Sequence, residues 1–310
     1  MSSAASALDL DLKSVLLATD LSSASEKPLR HALAIARHYR AKLYITHVVS
    51  AAPYLMVGPE ALEMGCQSAL KDVQQLQREL RQNGSLDGID HEFMLRRGVI
   101  WDELRGIVSQ KQIGLVVLGT HGRRGFEKLV LGSLAEEVFQ DAECPVLTVG
   151  PHSYREGRLE FANATRTYLF PTDFSEPSLC ALSHAISFAK RSKARLILLH
   201  VVPVAPIAQA TGWYSASEIM LMREDARVAC VRRLEQLVPS DEQAQIEIQL
   251  LVQFGLPAEK VLQIALEKSV DLIILGLRRS ALVGALAHRP WATAYEIVCG
   301  AACPVLTVRQ

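Results

Sequence analysis

Short apolar runs alternate with amphipathic stretches along the whole chain. The run Val15–Thr19 is apolar without polar alternation, and the next stretch, Ser25–Tyr39, places its apolar residues at helical spacing. A continuous apolar strand is typical of a parallel strand that is covered on both faces. Because strands and helices alternate throughout, the pattern predicts an α/β fold with a parallel sheet and right-handed crossovers.

The same series of predicted elements occurs twice. In the first series we predict strands Val15–Thr19, Lys42–Val49, His91–Arg96, Gly114–Leu118 and Pro145–Val149, and long helices Ser25–Tyr39 and Glu60–Arg81. In the second we predict strands Tyr168–Thr172, Arg195–Val202, Gln245–Val252, Leu272–Leu275 and Pro304–Val308, and long helices Pro177–Ser192 and Ser217–Leu237. Ser23 with Glu26 predicts a capping box at the first helix, and Ser175 before Pro177 predicts a cap in the second series.

Residue matches in constant order indicate that the chain is a duplication. The matched pairs include Asp20 and Asp173, His31 and His184, His47 and His200, Leu118-Gly119 and Leu275-Gly276, and Cys144–Val149 and Cys303–Val308. Each repeat is too long for a solenoid unit and has the size of a domain. We therefore predict one domain in residues 1–150, a polar linker in 151–165 and a second domain in 166–310.

A glycine-rich stretch of the first half is the strongest candidate for a phosphate site. Gly119, Gly122 and Gly132-Ser133 follow the fourth predicted strand, in a pattern that is neither a P-loop nor the Rossmann GxGxxG. Glycines let the backbone approach a ligand, and the free N–H groups at a helix start favour an anion. The alternative is structural: Ser133 with Glu136 reads equally as a capping box, and loop glycines are often turns.

Asp20 favours the ligand interpretation. In a doubly wound sheet of order 3-2-1-4-5, the strands that end near Asp20 and Gly119 are neighbours at the topological switch point, where ligands bind. A carboxylate there can accept hydrogen bonds from ribose hydroxyls or an adenine amino group. The structural alternative for Asp20 is an Asx turn or a helix cap.

These features together resemble the universal stress protein family over almost the whole of each repeat. The resemblance rests on the Ala-Thr-Asp-x-Ser opening, the His-Val-Val second strand, the Gly-x2-Gly-x9-Gly-Ser motif and the Cys-Pro-Val-Leu-Thr-Val ending. It implies two tandem doubly wound five-stranded domains that pair through their last strands about a pseudo-twofold axis, and a homodimer is a further option. It also implies ATP, with Mg²⁺ as an optional companion. The resemblance implies that Asp20 contacts the nucleoside and that the Val48 backbone contacts adenine. It implies that ribose and phosphates are bound by Gly119, Gly122, Gly132 and Ser133. The implied pocket lining is Ala18, Leu118 and Leu134.

The second half departs from this pattern. Asp173 is kept, but Arg279 stands where the first half has Gly122, and Trp291-Ala292 stand where it has Gly132-Ser133. Bulky side chains would fill the space that a phosphate needs, so we predict that this half has lost polyphosphate binding. The alternative is an anion held by the side chains of Arg278, Arg279 and Arg289.

The charge balance, the cysteines and the histidines of the chain exclude some classes of function. The chain has 33 Lys and Arg against 33 Asp and Glu, so no overall field would draw it to nucleic acid or an anionic membrane. We expect a cytoplasmic protein, because the start of the chain does not read as a signal peptide and the six cysteines form no CxxC pair. His47 and His200 read as packed strand residues rather than metal ligands.

The leading hypothesis is therefore an ATP-binding stress-response or regulatory protein. No base is positioned for attack on the γ-phosphate, so we expect slow hydrolysis at most. One alternative is an interaction scaffold whose nucleotide sites are both lost. Another is an adenylating enzyme of the same wider fold, although SGGxDS-like and HxGH-like turns do not occur.

Overall fold

A computed structural model describes residues 12–54, 58–120, 131–151, 153, 166–203, 215–239, 245–278 and 292–309. Its strands are β1 (Ser14–Ala18), β2 (Lys42–Ser50), β3 (His91–Gly98), β4 (Leu115–Gly119), β5 (Val146–Val149), β6 (Thr167–Pro171), β7 (Arg195–Pro203), β8 (Ile248–Gly255), β9 (Leu272–Leu277) and β10 (Val305–Arg309). Its α-helices are α1 (Glu26–Tyr39), α2 (Pro59–Gln82), α3 (Ile100–Gln110), α4 (Ser133–Asp141), α5 (Glu176–Ser192), α6 (Ala216–Glu235), α7 (Pro257–Glu267) and α8 (Ala292–Gly300).

All these strands form one sheet, in the order β3-β2-β1-β4-β5-β10-β9-β6-β7-β8. Within each half the neighbouring strands are parallel and the order is 3-2-1-4-5, so the predicted doubly wound fold is confirmed. This order makes β1 and β4 neighbours, with Val15 beside Leu115 and Leu17 beside Val117. The first half therefore has its switch point between these two strands.

The two halves join through their last strands, as the resemblance implies. β5 and β10 pair antiparallel, with Leu147 opposite Leu306 at the centre. Symmetric hydrogen bonds flank this pair: Thr148 Oγ1 donates to the Val305 carbonyl at 3.1 Å, and Thr307 Oγ1 to the Val146 carbonyl at 3.3 Å. Corresponding residues make corresponding bonds, which is the local signature of a pseudo-twofold axis.

Helices cover both faces of the sheet. Along β1, Val15 and Leu17 face one apolar core while Leu16 and Ala18 face the other, because successive side chains of a strand alternate. Helices α1, α2, α5 and α6 pack on the first core, and α3, α4, α7 and α8 on the second. Both cores contain residues of both halves. In the part of the chain that the structure describes, no helix combines the length and apolar character needed to cross a membrane.

The predicted elements agree with the structure apart from a few residues at their ends. The capping box of Ser23 with Glu26 is wrong: a 3-10 turn occupies Ser23–Ser25, and α1 begins at Glu26 without a side-chain cap. The Ser25 hydroxyl instead donates to Asp20 Oδ1 at 2.7 Å. Of the predicted linker, only its first and third residues lie within the described part, where their carbonyls accept hydrogen bonds from Lys27 Nζ at 2.7 and 3.2 Å.

We expect His31 to make the protein sensitive to acid. The imidazole is buried in α1, and burial, reinforced by the charge of Lys27, lowers its pKa from 6.5 to about 4. The unfolded chain therefore binds a proton as the pH falls below 6.5, while the folded protein does not, so stability is lost in that range. By pH 5 the loss attributable to His31 is about 2 kcal/mol. Chemical denaturation across pH 5–8 gives the free energy of unfolding of wild type and of His31→Leu. If the two free energies changed with pH in parallel, the prediction would be contradicted.

Candidate functional site

The turn after β1 holds the Asp20 carboxylate in a fixed position. Leu21 has φ 62°, which turns the chain sharply. Asp20 Oδ1 accepts hydrogen bonds from the Ser22 backbone at 3.0 Å and hydroxyl at 2.7 Å, and from the Ser25 hydroxyl at 2.7 Å. The Asx turn, which is the structural alternative for Asp20, is therefore present. It does not compete with a binding role, because a carboxylate has four lone-pair sites.

The end of β2 is fastened to the same turn. The His47 ring lies with Nδ1 2.8 Å from the Thr19 carbonyl. Because a carbonyl oxygen only accepts, Nδ1 carries the proton, and the tautomer of His47 is fixed. His200 makes the corresponding bond to the Thr172 carbonyl at 2.8 Å. Val48, which follows His47, is buried beside this turn on the adjacent strand.

The start of α4 is brought back to the end of β4. The Thr120 amide donates to the Val149 carbonyl at 3.1 Å, and the Gly132 amide donates to the Thr120 carbonyl at 2.9 Å. Gly132 is the N-cap of α4 and makes no side-chain cap, so the alternative capping box of Ser133 with Glu136 is wrong. Ser133 is exposed at the first helical position, where backbone N–H groups have no partner within the helix.

The structure thus brings most of the predicted site residues to one edge of the sheet. Asp20 follows β1, Val48 lies near the end of β2, Gly119 ends β4, and Gly132 with Ser133 opens α4. Apolar residues of the predicted lining share one core: Ala18, Leu118 and Val48 are buried in it, and Leu134 packs against it. Gly122 lies outside the described residues, as do His121 and the Arg279, Arg289 and Trp291 of the second half.

In the second half, main chain packs closely against β9, the counterpart of β4. α5 begins at Glu176, whose counterpart Ser23 lies ahead of α1. Its first turn packs so tightly on β9 that a Cβ placed on Gly276 would lie 2.2 Å from the Pro177 carbonyl oxygen. Asp173, the counterpart of Asp20, is exposed, and its Oδ1 accepts from the Ser175 amide at 2.9 Å.

The sequence did not predict two contacts near the ends of these strands. It did not anticipate how closely the Pro177 backbone approaches Gly276. Arg279 and Trp291, to which it attributed the loss of polyphosphate binding, lie outside the described residues. It also missed Tyr295, whose hydroxyl lies 3.4 Å from the Leu131 amide of the other half. No local pattern marks that contact.

The comparisons with known proteins agree on one family. The sequence model of the universal stress protein family matches residues 12–150 and again 165–309. The universal stress protein MJ0531 of Methanocaldococcus jannaschii is 32% identical over 145 residues, which are 44% of this chain and 81% of that protein.

Two solved structures share the architecture of the whole chain. A universal stress protein from Archaeoglobus fulgidus is 19% identical with a TM-score of 0.65, over 96% of this chain and 98% of that one. A functionally unknown protein from Pseudomonas aeruginosa is 20% identical with a TM-score of 0.61, over 96% and 92%. The fold and the doubled match define a tandem α/β protein. The chain belongs to the universal stress protein family, with two copies of the family unit, which confirms the resemblance.

Proposed function

We propose that the first half binds ATP as a conformational ligand in a stress-response or regulatory role, and that the second half does not bind a polyphosphate. The observation that carries this proposal is the convergence of Asp20, Gly119 and the Gly132–Ser133 start of α4 at the switch point of the first half. The close approach of the Pro177 backbone to Gly276, the counterpart of Gly119, supports the second part of the proposal.

Each group has a chemical role in this proposal. The first-turn N–H groups of α4 and the Ser133 hydroxyl donate to the phosphates, where the positive end of the helix dipole favours their charge. Asp20 accepts from a ribose hydroxyl or the adenine amino group, and the Val48 backbone pairs with adenine, as the family resemblance implies. Mg²⁺ would accompany the phosphates as part of the ligand.

The role as a ligand, rather than a rapidly hydrolysed substrate, follows from how Asp20 is held. Its Oδ1 already accepts from Ser22 and Ser25, which suits a fixed binding group better than a general base. We propose a cytoplasmic location, since all six cysteines are free thiols.

Calorimetric titration of ATP tests the proposal directly. We expect one equivalent of ATP per chain, because only the first half has the Gly-x2-Gly-x9-Gly-Ser motif in its sequence. Mass spectrometry of ligand released from purified protein supplies an independent check. Two equivalents would contradict the proposal that the second half does not bind a polyphosphate. The absence of heat would favour an interaction scaffold. Release of pyrophosphate on adding ATP would indicate an adenylating enzyme instead.

A further inference from the structure

A helix of the second half reaches the candidate nucleotide site of the first. The Leu131 amide, directly before Gly132, lies 3.4 Å from the Tyr295 hydroxyl oxygen and donates a hydrogen bond to it. Tyr295 lies on α8, and its ring packs edge-on against Phe139 of α4, with centroids 6.4 Å apart and an interplanar angle of 78°. The contact joins residues of different halves on the face of the sheet that carries α4 and α8.

The Tyr295 hydroxyl is held on a second side. Cys299, one turn along α8, forms a hydrogen bond with it, and burial raises the pKa of both the Tyr295 phenol and the Cys299 thiol. Both groups therefore keep their protons at neutral pH. The phenol oxygen can then accept from the Leu131 amide while its own proton is directed to the Cys299 sulfur.

This contact belongs to one half only. Counted from the matched Cys144 and Cys303, the first-half residue that corresponds to Tyr295 is Glu136. Glu136 is half-buried, and its side chain lacks the aromatic ring by which Tyr295 packs on Phe139. The pseudo-twofold axis thus relates the two backbones but not this side chain.

We propose that Tyr295 is a positioning residue that the second half contributes to the nucleotide site of the first. Together with Cys299, which also contacts the Leu131 amide, it fixes that amide, and through it the orientation of the Ser133 N–H group that faces the phosphates. The second half is then required for full affinity at the site of the first. This inference rests on the proposed ATP binding by the first half.

Tyr295→Phe tests the proposal, since it removes the hydroxyl while keeping the ring on Phe139. Affinities of the full chain for ATP and for adenosine are measured by displacement of a fluorescent ATP analogue. We expect Tyr295→Phe to weaken ATP about fivefold, the effect of one hydrogen bond. Adenosine, which has no phosphates, should be held unchanged.

Tyr39→Phe is the matched control. Tyr39 also meets the other half, through an edge-on contact with Phe188 at 5.8 Å, but on the opposite face of the sheet. We expect it to leave ATP affinity unchanged. Hydrogen exchange at Leu131 and Gly132 in the absence of ligand should be faster in Tyr295→Phe only.

The outcomes separate two kinds of failure. Unchanged ATP affinity in Tyr295→Phe, with wild type binding ATP, would overturn the positioning role alone. Equal weakening of ATP and adenosine would overturn it too, because the effect would then lie outside the phosphate region. Failure of wild-type protein to bind ATP would overturn the proposed function and this inference together.

Discussion

Replacing Asp20 by asparagine is expected to weaken ATP binding about 10- to 100-fold, because the proposed charge-assisted hydrogen bond to the nucleoside would become a neutral one. The amide oxygen of the variant can still accept from Ser22 and Ser25, so the turn after β1 should persist. Titration calorimetry measures the affinity, and an unchanged thermal midpoint shows that the fold is kept.

Asp173→Asn is the control for Asp20→Asn. It makes the same chemical change at the matched position of the second half, which we propose does not bind a polyphosphate. ATP affinity and stoichiometry should stay as in wild type. If Asp173→Asn were the damaging change and Asp20→Asn the harmless one, the nucleotide would have to lie in the second half.

Replacing Leu306 by alanine is expected to lower the free energy of unfolding by about 2–5 kcal/mol, the range for deleting a buried leucine side chain. Leu306 is 1% exposed at the centre of the β5–β10 junction, opposite Leu147. Because the pseudo-twofold axis passes between these two residues, Leu147→Ala should cost a similar amount. Denaturant titration gives both values.

Leu266→Ala provides the comparison for a leucine outside the core. Leu266 lies at the end of α7 and is 68% exposed, so its truncation should change the free energy of unfolding by about 0.5 kcal/mol or less. A loss of similar size for Leu306 would mean that the two halves do not share a packed junction in solution.

Much of the fold could be predicted because local patterns of apolar and polar residues indicate its strands and helices. Apolar runs such as Val15–Thr19 indicate strands covered on both faces, and the repeated order of elements indicates two copies of one topology. The structure confirms that order and the pairing of the last strands. Helix starts were less predictable: Ser23, predicted to cap the first helix, lies in a 3-10 turn, and the Ser25 hydroxyl donates to Asp20.

The candidate site was predictable only where sequence position fixes spatial position. Asp20 and Gly119 follow strands, so the strand order alone makes them neighbours. Gly132 was predicted from its glycine pattern, and its hydrogen bond to the Thr120 carbonyl agrees with a helix start near that edge. The interpretation of Ser133 as a cap failed, because which residue of a Gly-Ser pair is the N-cap depends on backbone geometry.

The sequence by itself determined the duplication and the order of elements along the chain, because these depend on periodicity, and its short motifs carried the family resemblance that implies the strand order. Only the tertiary structure decided which distant residues contact each other. The approach of Pro177 to Gly276 and of Tyr295 to Leu131 joins residues far apart in the chain. Such contacts depend on how helices pack on the sheet, and nothing local to either residue encodes that packing.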